Sequence, residues 1–149
     1  MIQRIQTLYL LAVVALGIAL IWLPVVQFVS PEGTALQVYE LSALGGAPLQ
    51  GLWGLTLATA LIPVLALVDI FLYKNRILQA RLNIFTVMLC LGYYGVLALY
   101  IWLAKMSLGV EWHILPWASF PLVCLVLTMM ATRRILKDEA LVRAADRIR

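Results

Sequence analysis

Few residues in this chain could do chemistry, and most of them lack an evident partner nearby in sequence. Asp69 is the only charged residue well inside a long apolar run. An ionisable group in such a setting is costly to bury and is a functional candidate by default. It stands one turn before Tyr73, roughly 6–8 Å from the end of its run at about 1.5 Å per residue. From that depth it can reach water, Lys74, Arg76 or Arg81, so an ion pair at the border is expected over a proton relay. Tyr93 and Tyr94 lie mid-run beside Gly92 and Gly95. Buried tyrosine hydroxyls seek hydrogen-bond partners, and a neighbouring helix's backbone, Thr56 or Thr59 would serve. The rival reading makes Tyr93, Tyr94 and Asp69 an intramembrane pocket for a lipid tail or a ring-shaped ligand. Cys90 and Cys124 form no CxxC and no metal spacing, which reads as two buried structural thiols. His113 is the sole histidine, so no HExxH and no multi-histidine metal or haem site can be built. Ser119 has no G-x-S-x-G context, and no phosphate-cradling glycine loop occurs. Chemistry on a lipid headgroup through Glu111 and His113 would lack supporting groups. No catalytic, cofactor-binding or metal-binding residue is assigned, no cofactor is expected, and the chain does not read as an enzyme.

The elements around these residues follow from composition. Hydrophobic residues make up 64% of the 149 and charged residues 12%, against roughly 45–50% and about 25% in soluble domains. A chain this short cannot hide the excess inside, because much of a small domain's surface must face water. A cytosolic enzyme, a secreted disulfide scaffold and a disordered chain are excluded. Crossing a hydrocarbon core of about 30 Å takes roughly 20 helical residues. Four runs qualify, about 7–26, 52–73, 82–104 and 114–132. Helices are expected because each satisfies its own backbone hydrogen bonds, which lipid cannot do. The first run reads as a retained anchor, since its only preceding cation is Arg4 and it exceeds the usual ~7–15 residues of a signal peptide. The predicted fold is an all-α membrane protein: a four-helix transmembrane bundle over residues 1–132, followed by a charged helical tail over 133–149.

Charge sets the expected orientation. All of the eleven Lys and Arg residues except Lys105 fall on the side shared by the N-terminus, the 74–81 connection and the tail. Glu32, Glu40 and Glu111 fall on the other. Cytoplasmic loops carry the excess of cations, so both termini are expected in the cytoplasm of a bacterial inner membrane. Cations at run borders, without aromatic interleaving, also argue against nucleic acid as a partner. The outer connections are then 28–50 and 105–113. Ser30-Pro31-Glu32-Gly33 has turn chemistry, flanked by Val25–Val29 and the alternating run Leu36–Leu41. A small hairpin cap is expected there, joined by residues 109–114. In the tail, Leu141, Ala144, Ala145 and Ile148 form a modest apolar stripe, and Glu139–Arg143 is a favourable i,i+4 pair.

Three stretches carry a resemblance. They are Met1-Ile2-Gln3-Arg4-Ile5-Gln6-Thr7, the segment Lys74-Asn75-Arg76 with Gln79 and Arg81-Leu82, and Lys137-Asp138-Glu139 with Leu141-Val142-Arg143 and Asp146-Arg147. Together they resemble the four-helix membrane family of Bacteroidota described as domain of unknown function 4293. The likeness runs along the whole chain; it implies an inner-membrane protein and brings no activity, ligand or catalytic residue with it. All three stretches lie on the expected cytoplasmic side. The function expected is therefore a scaffold or accessory subunit that docks a membrane or cytoplasmic protein through Arg4, Asn75, Arg76, Gln79, Arg81, Lys137, Asp138, Glu139, Arg143, Asp146 and Arg147. A lipid- or small-molecule-binding or transporting bundle is the alternative, and self-association stays open.

Overall fold

The computed structural model describes residues 2–29, 33, 35–39, 53–72, 75–109 and 111–146, with backbone alone for 2–4, 35–39, 53, 107–108, 143 and 145–146. The expected loop residues 30–32 and 40–50, the Lys74 position and Arg147 lie outside the described residues. Four long helices dominate: α1 (Ile2–Trp22), α2 (Trp53–Phe71), α3 (Arg76–Leu108) and α4 (Phe120–Asp146). Each contains a stretch long and apolar enough to cross a membrane. α1 packs on α2 and α4, and α3 packs on the same two, so the four close into a ring. Their outward faces carry large exposed apolar side chains such as Leu8, Leu11, Phe85, Met88 and Leu99, the arrangement that lipid rather than water tolerates.

The helix ends differ from the sequence expectation for identifiable reasons. The first span was expected to reach Val26, but α1 stops at Trp22 and Pro24 opens strand β1 (Pro24–Val29), since proline cannot continue a helix ladder. The fourth was expected from Ile114. That residue instead closes strand β3 (Glu111–Ile114), a 3-10 turn follows over Pro116–Ser119, and α4 starts at Phe120. The third is longer at both ends than 82–104. Nothing between Arg76 and Arg81 breaks a helix, so these residues form the opening turns of α3 rather than a loop. Its far end closes on Gly109 at φ 60°, whose N–H donates to Lys105 O at 3.1 Å, a left-handed cap that suits glycine.

Strand β2 (Ala35–Tyr39) pairs antiparallel with β1, Phe28 opposite Leu36. On the other edge of β1, β3 pairs antiparallel with Phe28 opposite Trp112. The order β2-β1-β3 makes a three-stranded sheet at one end of the bundle. Val25, Val26 and Phe28 bury themselves against Leu20, Leu55, Tyr93, Leu97, Ala104 and Ala118. The sheet thus rests on the helix ends, which a lone hairpin would need for stability. Deeper in, Val13, Ile62, Ala66, Cys90 and Cys124 form a second core. At that level α1 and α2 touch closely: a Cβ on Gly17 would lie 2.9 Å from Cδ of Pro63. Exposed Trp22, Trp102, Trp112 and Trp117 gather at the sheet end, as aromatic side chains do at a membrane interface.

Candidate functional site

The end opposite the sheet brings together the start of α1, the end of α2, the start of α3 and the end of the α4 span. Two side-chain links tie it. Gln6 Nε2 donates to Asp138 Oδ2 at 3.0 Å, joining α1 to α4. Gln79 Nε2 donates to the Asp69 carbonyl at 3.2 Å, joining α3 to α2. Beside the second link, Asp69 and Asn83 are each 1% exposed. The Asn83 side chain neighbours the Asp69 carboxylate, yet both carboxylate oxygens and the Asn83 Nδ2 fall short of hydrogen-bond geometry with any partner. The ion pair expected between Asp69 and Arg76 or Arg81 is not formed. Asp69 lies on the α2 face turned into the bundle, whereas Arg81 is exposed on α3 and Arg76 is half-buried beside the outer groove.

Outside this polar layer, α3 and α4 leave a groove. Its outer part is a cavity of about 560 Å³ lined by Asn75, Arg76, Ile77, Leu78, Arg81 and Glu139, among others. A second cavity of about 430 Å³ shares Arg76, Ile77, Arg81 and Glu139 and continues to Ala80, Ile84 and Leu136. The spacing is helical: Arg76 and Ala80, then Ile77, Arg81 and Ile84, fall on one face of α3. Asn75 stands at the N-cap of α3 but makes no side-chain cap.

Of the residues expected to dock a partner, Asn75, Arg81 and Lys137 are exposed and Arg76 and Glu139 half-buried. Gln79 is a correction, because burial and its bond to Asp69 O make it an internal strut. Asp138 is likewise drawn inward by Gln6. For Arg4, Arg143 and Asp146 only the helical backbone is described, and Arg147 lies outside the described residues. Sequence reading passed over Gln6 and Asn83. Asn83 sits four residues after Gln79, a helical spacing that puts the two on one polar stripe.

Among the cavities lined by described residues, none brings Tyr93 or Tyr94 together with Asp69. Asp69 packs at the level of Asn83, and Tyr94 lies eleven residues further along α3, roughly 16 Å away at about 1.5 Å per residue. The two tyrosine rings meet edge to face at 5.5 Å, and Tyr93 is fully buried. Tyr94 takes the backbone of a neighbouring helix, one of the partners expected for it. Its hydroxyl donates to Ala118 O at 2.8 Å and accepts from Leu122 N–H at 3.0 Å. It is inserted between the carbonyl and the amide that would bond each other in a regular helix. A cavity of about 530 Å³ adjoins it, with Leu97, Ile114, Leu115, Pro116 and Ala118 in its wall. Cys90 and Cys124 are free, buried thiols in the same core cluster.

No curated protein and no solved structure matches this chain. A family match spans residues 2–148, reaching from the first turn of α1 past the described end of α4. The polar residues of the groove end and the tyrosine-braced sheet end therefore both fall within the matched region, and the chain belongs to the family described as domain of unknown function (DUF4293).

Proposed function

We propose that this protein is a non-enzymatic scaffold or accessory subunit of the bacterial inner membrane, with both termini cytoplasmic. It docks a protein partner through the end of α4. The observation that carries this reading is the α4 helix itself. It runs on to Asp146 after Ile135, its last tightly buried side chain among the described residues. Beyond that point Lys137, Leu141 and Val142 are exposed, an alternation of charge and apolar surface that suits a helical partner better than bare solvent. The cation excess at this end supports a cytoplasmic placement, and the sheet with its tryptophans then caps the outer side. Because Ile135 and Asp138 are packed, the test leaves them in place. Leu141→Asp should abolish co-purification of a crosslinked partner while membrane insertion persists. An unchanged partner set refutes the docking role, and a reporter fused after Arg149 that is active outside the cell refutes the orientation.

A second reading, a lipid- or small-molecule-binding bundle, draws on the cavity beside Tyr94. It ranks lower because the Tyr94 hydroxyl, the evident polar anchor there, is already committed to the α4 backbone.

A further inference from the structure

The groove between α3 and α4 has an order of chemistry along its length that a protein partner does not explain. Arg81 and Lys105 lie on the same helix, roughly 36 Å apart at about 1.5 Å per residue. That slightly exceeds the hydrocarbon thickness of about 30 Å, so Arg81 stands at the headgroup boundary when Lys105 marks the other. Arg76 is roughly 8 Å further out by the same rise. The groove therefore begins with two guanidiniums at headgroup depth and continues toward the hydrocarbon along exposed Ile84 and Leu136. Glu139 at its rim is half-buried and already engaged. Two arginines and one carboxylate leave the lining with an excess of one positive charge, which a single phosphodiester neutralises.

We propose that this groove holds one glycerophospholipid of the surrounding bilayer, its phosphate between Arg76 and Arg81 and an acyl chain along Ile84 and Leu136. Guanidinium forks suit phosphate oxygens, and bonds to an ionised acceptor are about twice as strong as neutral ones. The apolar stretch below suits a hydrocarbon chain and gives a soluble phosphoester nothing to bury. The lipid contacts at Arg76, Arg81, Ile84 and Leu136 lie apart from Leu141 and hold whichever leaflet the charged end faces.

The test uses the full chain in detergent with dioleoylphosphatidylglycerol added, read by native mass spectrometry and thermal unfolding. One lipid per protomer should remain bound and raise the melting temperature. Arg76→Gln with Arg81→Gln should weaken retention about tenfold or more, the loss expected from a charge-assisted contact. Arg81→Gln alone, at an exposed position, serves if the double variant fails to fold. Ile84→Trp should also weaken retention by obstructing the chain path. Arg133→Gln with Arg134→Gln, cations outside the groove lining, should leave it unchanged. Equal retention by the Arg81 variant, equal loss in the Arg133/Arg134 control, or equal retention of dioleoylglycerol would overturn the proposal. So would displacement of the lipid by millimolar inorganic phosphate, which would mark a small-anion site. Loss of partner capture in the Leu141→Asp variant, whose side chain is outside the groove lining, with lipid retention intact separates this proposal from the docking role.

Discussion

Replacing Tyr94 by Phe removes one oxygen and probes how α4 begins. The hydroxyl satisfies two backbone groups at once, Ala118 O at 2.8 Å and Leu122 N–H at 3.0 Å. These are four residues apart and would bond directly in an uninterrupted helix. They are held apart by the turn before them. Ala118 N–H donates to Leu115 O at 3.0 Å, and Leu115 N–H donates to Val25 O of the sheet at 3.1 Å. Ser119 Oγ donates to Pro116 O at 2.6 Å, and Pro121 brings no N–H to the ladder. Closing the gap in the variant would mean rewinding a turn that the sheet anchors. Two hydrogen bonds at about 1 kcal/mol each give an expected loss of about 2 kcal/mol. That corresponds to roughly a 30-fold change in an equilibrium constant. Equilibrium unfolding in mixed micelles measures the first quantity. Hydrogen exchange at the Leu122 amide should rise by a comparable factor, because local opening governs it. Unchanged stability together with unchanged exchange at Leu122 would show that the helix closes on itself and that the hydroxyl braces nothing.

Three further outcomes follow from the packing. Gly17→Ala places a methyl group 2.9 Å from the rigid ring of Pro63. It should destabilise by about 1–3 kcal/mol, the usual cost of overpacking, in the same unfolding assay. Asp69→Asn removes a buried carboxylate that has no hydrogen-bond partner and sets an amide beside Asn83. If the amide bonds Asn83, stability should rise by about 1–3 kcal/mol, the desolvation cost of an unsatisfied buried polar group, and a fall would assign the carboxylate a partner or a role. Cys90 and Cys124 are buried, so neither should react with a maleimide in intact membranes, and both should react after denaturation.

The four long apolar helices were legible because a hydrocarbon core imposes a length and forbids unpaired backbone, and both constraints write themselves into composition. The Leu36–Leu41 run alternates as a strand does, and the structure pairs Ala35–Tyr39 with Pro24–Val29. Helix ends were less legible. The break after Trp22 needed Pro24 to be read as a strand opener, and Ile114 looked helical because apolar residues do not announce whether they face a sheet or a span. At the charged end, spacing along the chain placed Asp69, Arg76, Gln79 and Arg81 close together. It could not say which faced inward.

What the amino-acid order decides unaided here is the solvent: residues this apolar, in runs this long, belong in lipid, and the cations must collect at the ends. Tertiary structure alone decided the partners. Asp69 faces Asn83 rather than an arginine because α2 and α3 present those faces to each other. Gln79 became a strut, and Tyr94 reached across to α4, for the same reason. Rotation of one helix about its axis against the next is set by interlocking shapes such as Gly17 against Pro63. Those contacts join residues far apart in the chain, where no local pattern registers them.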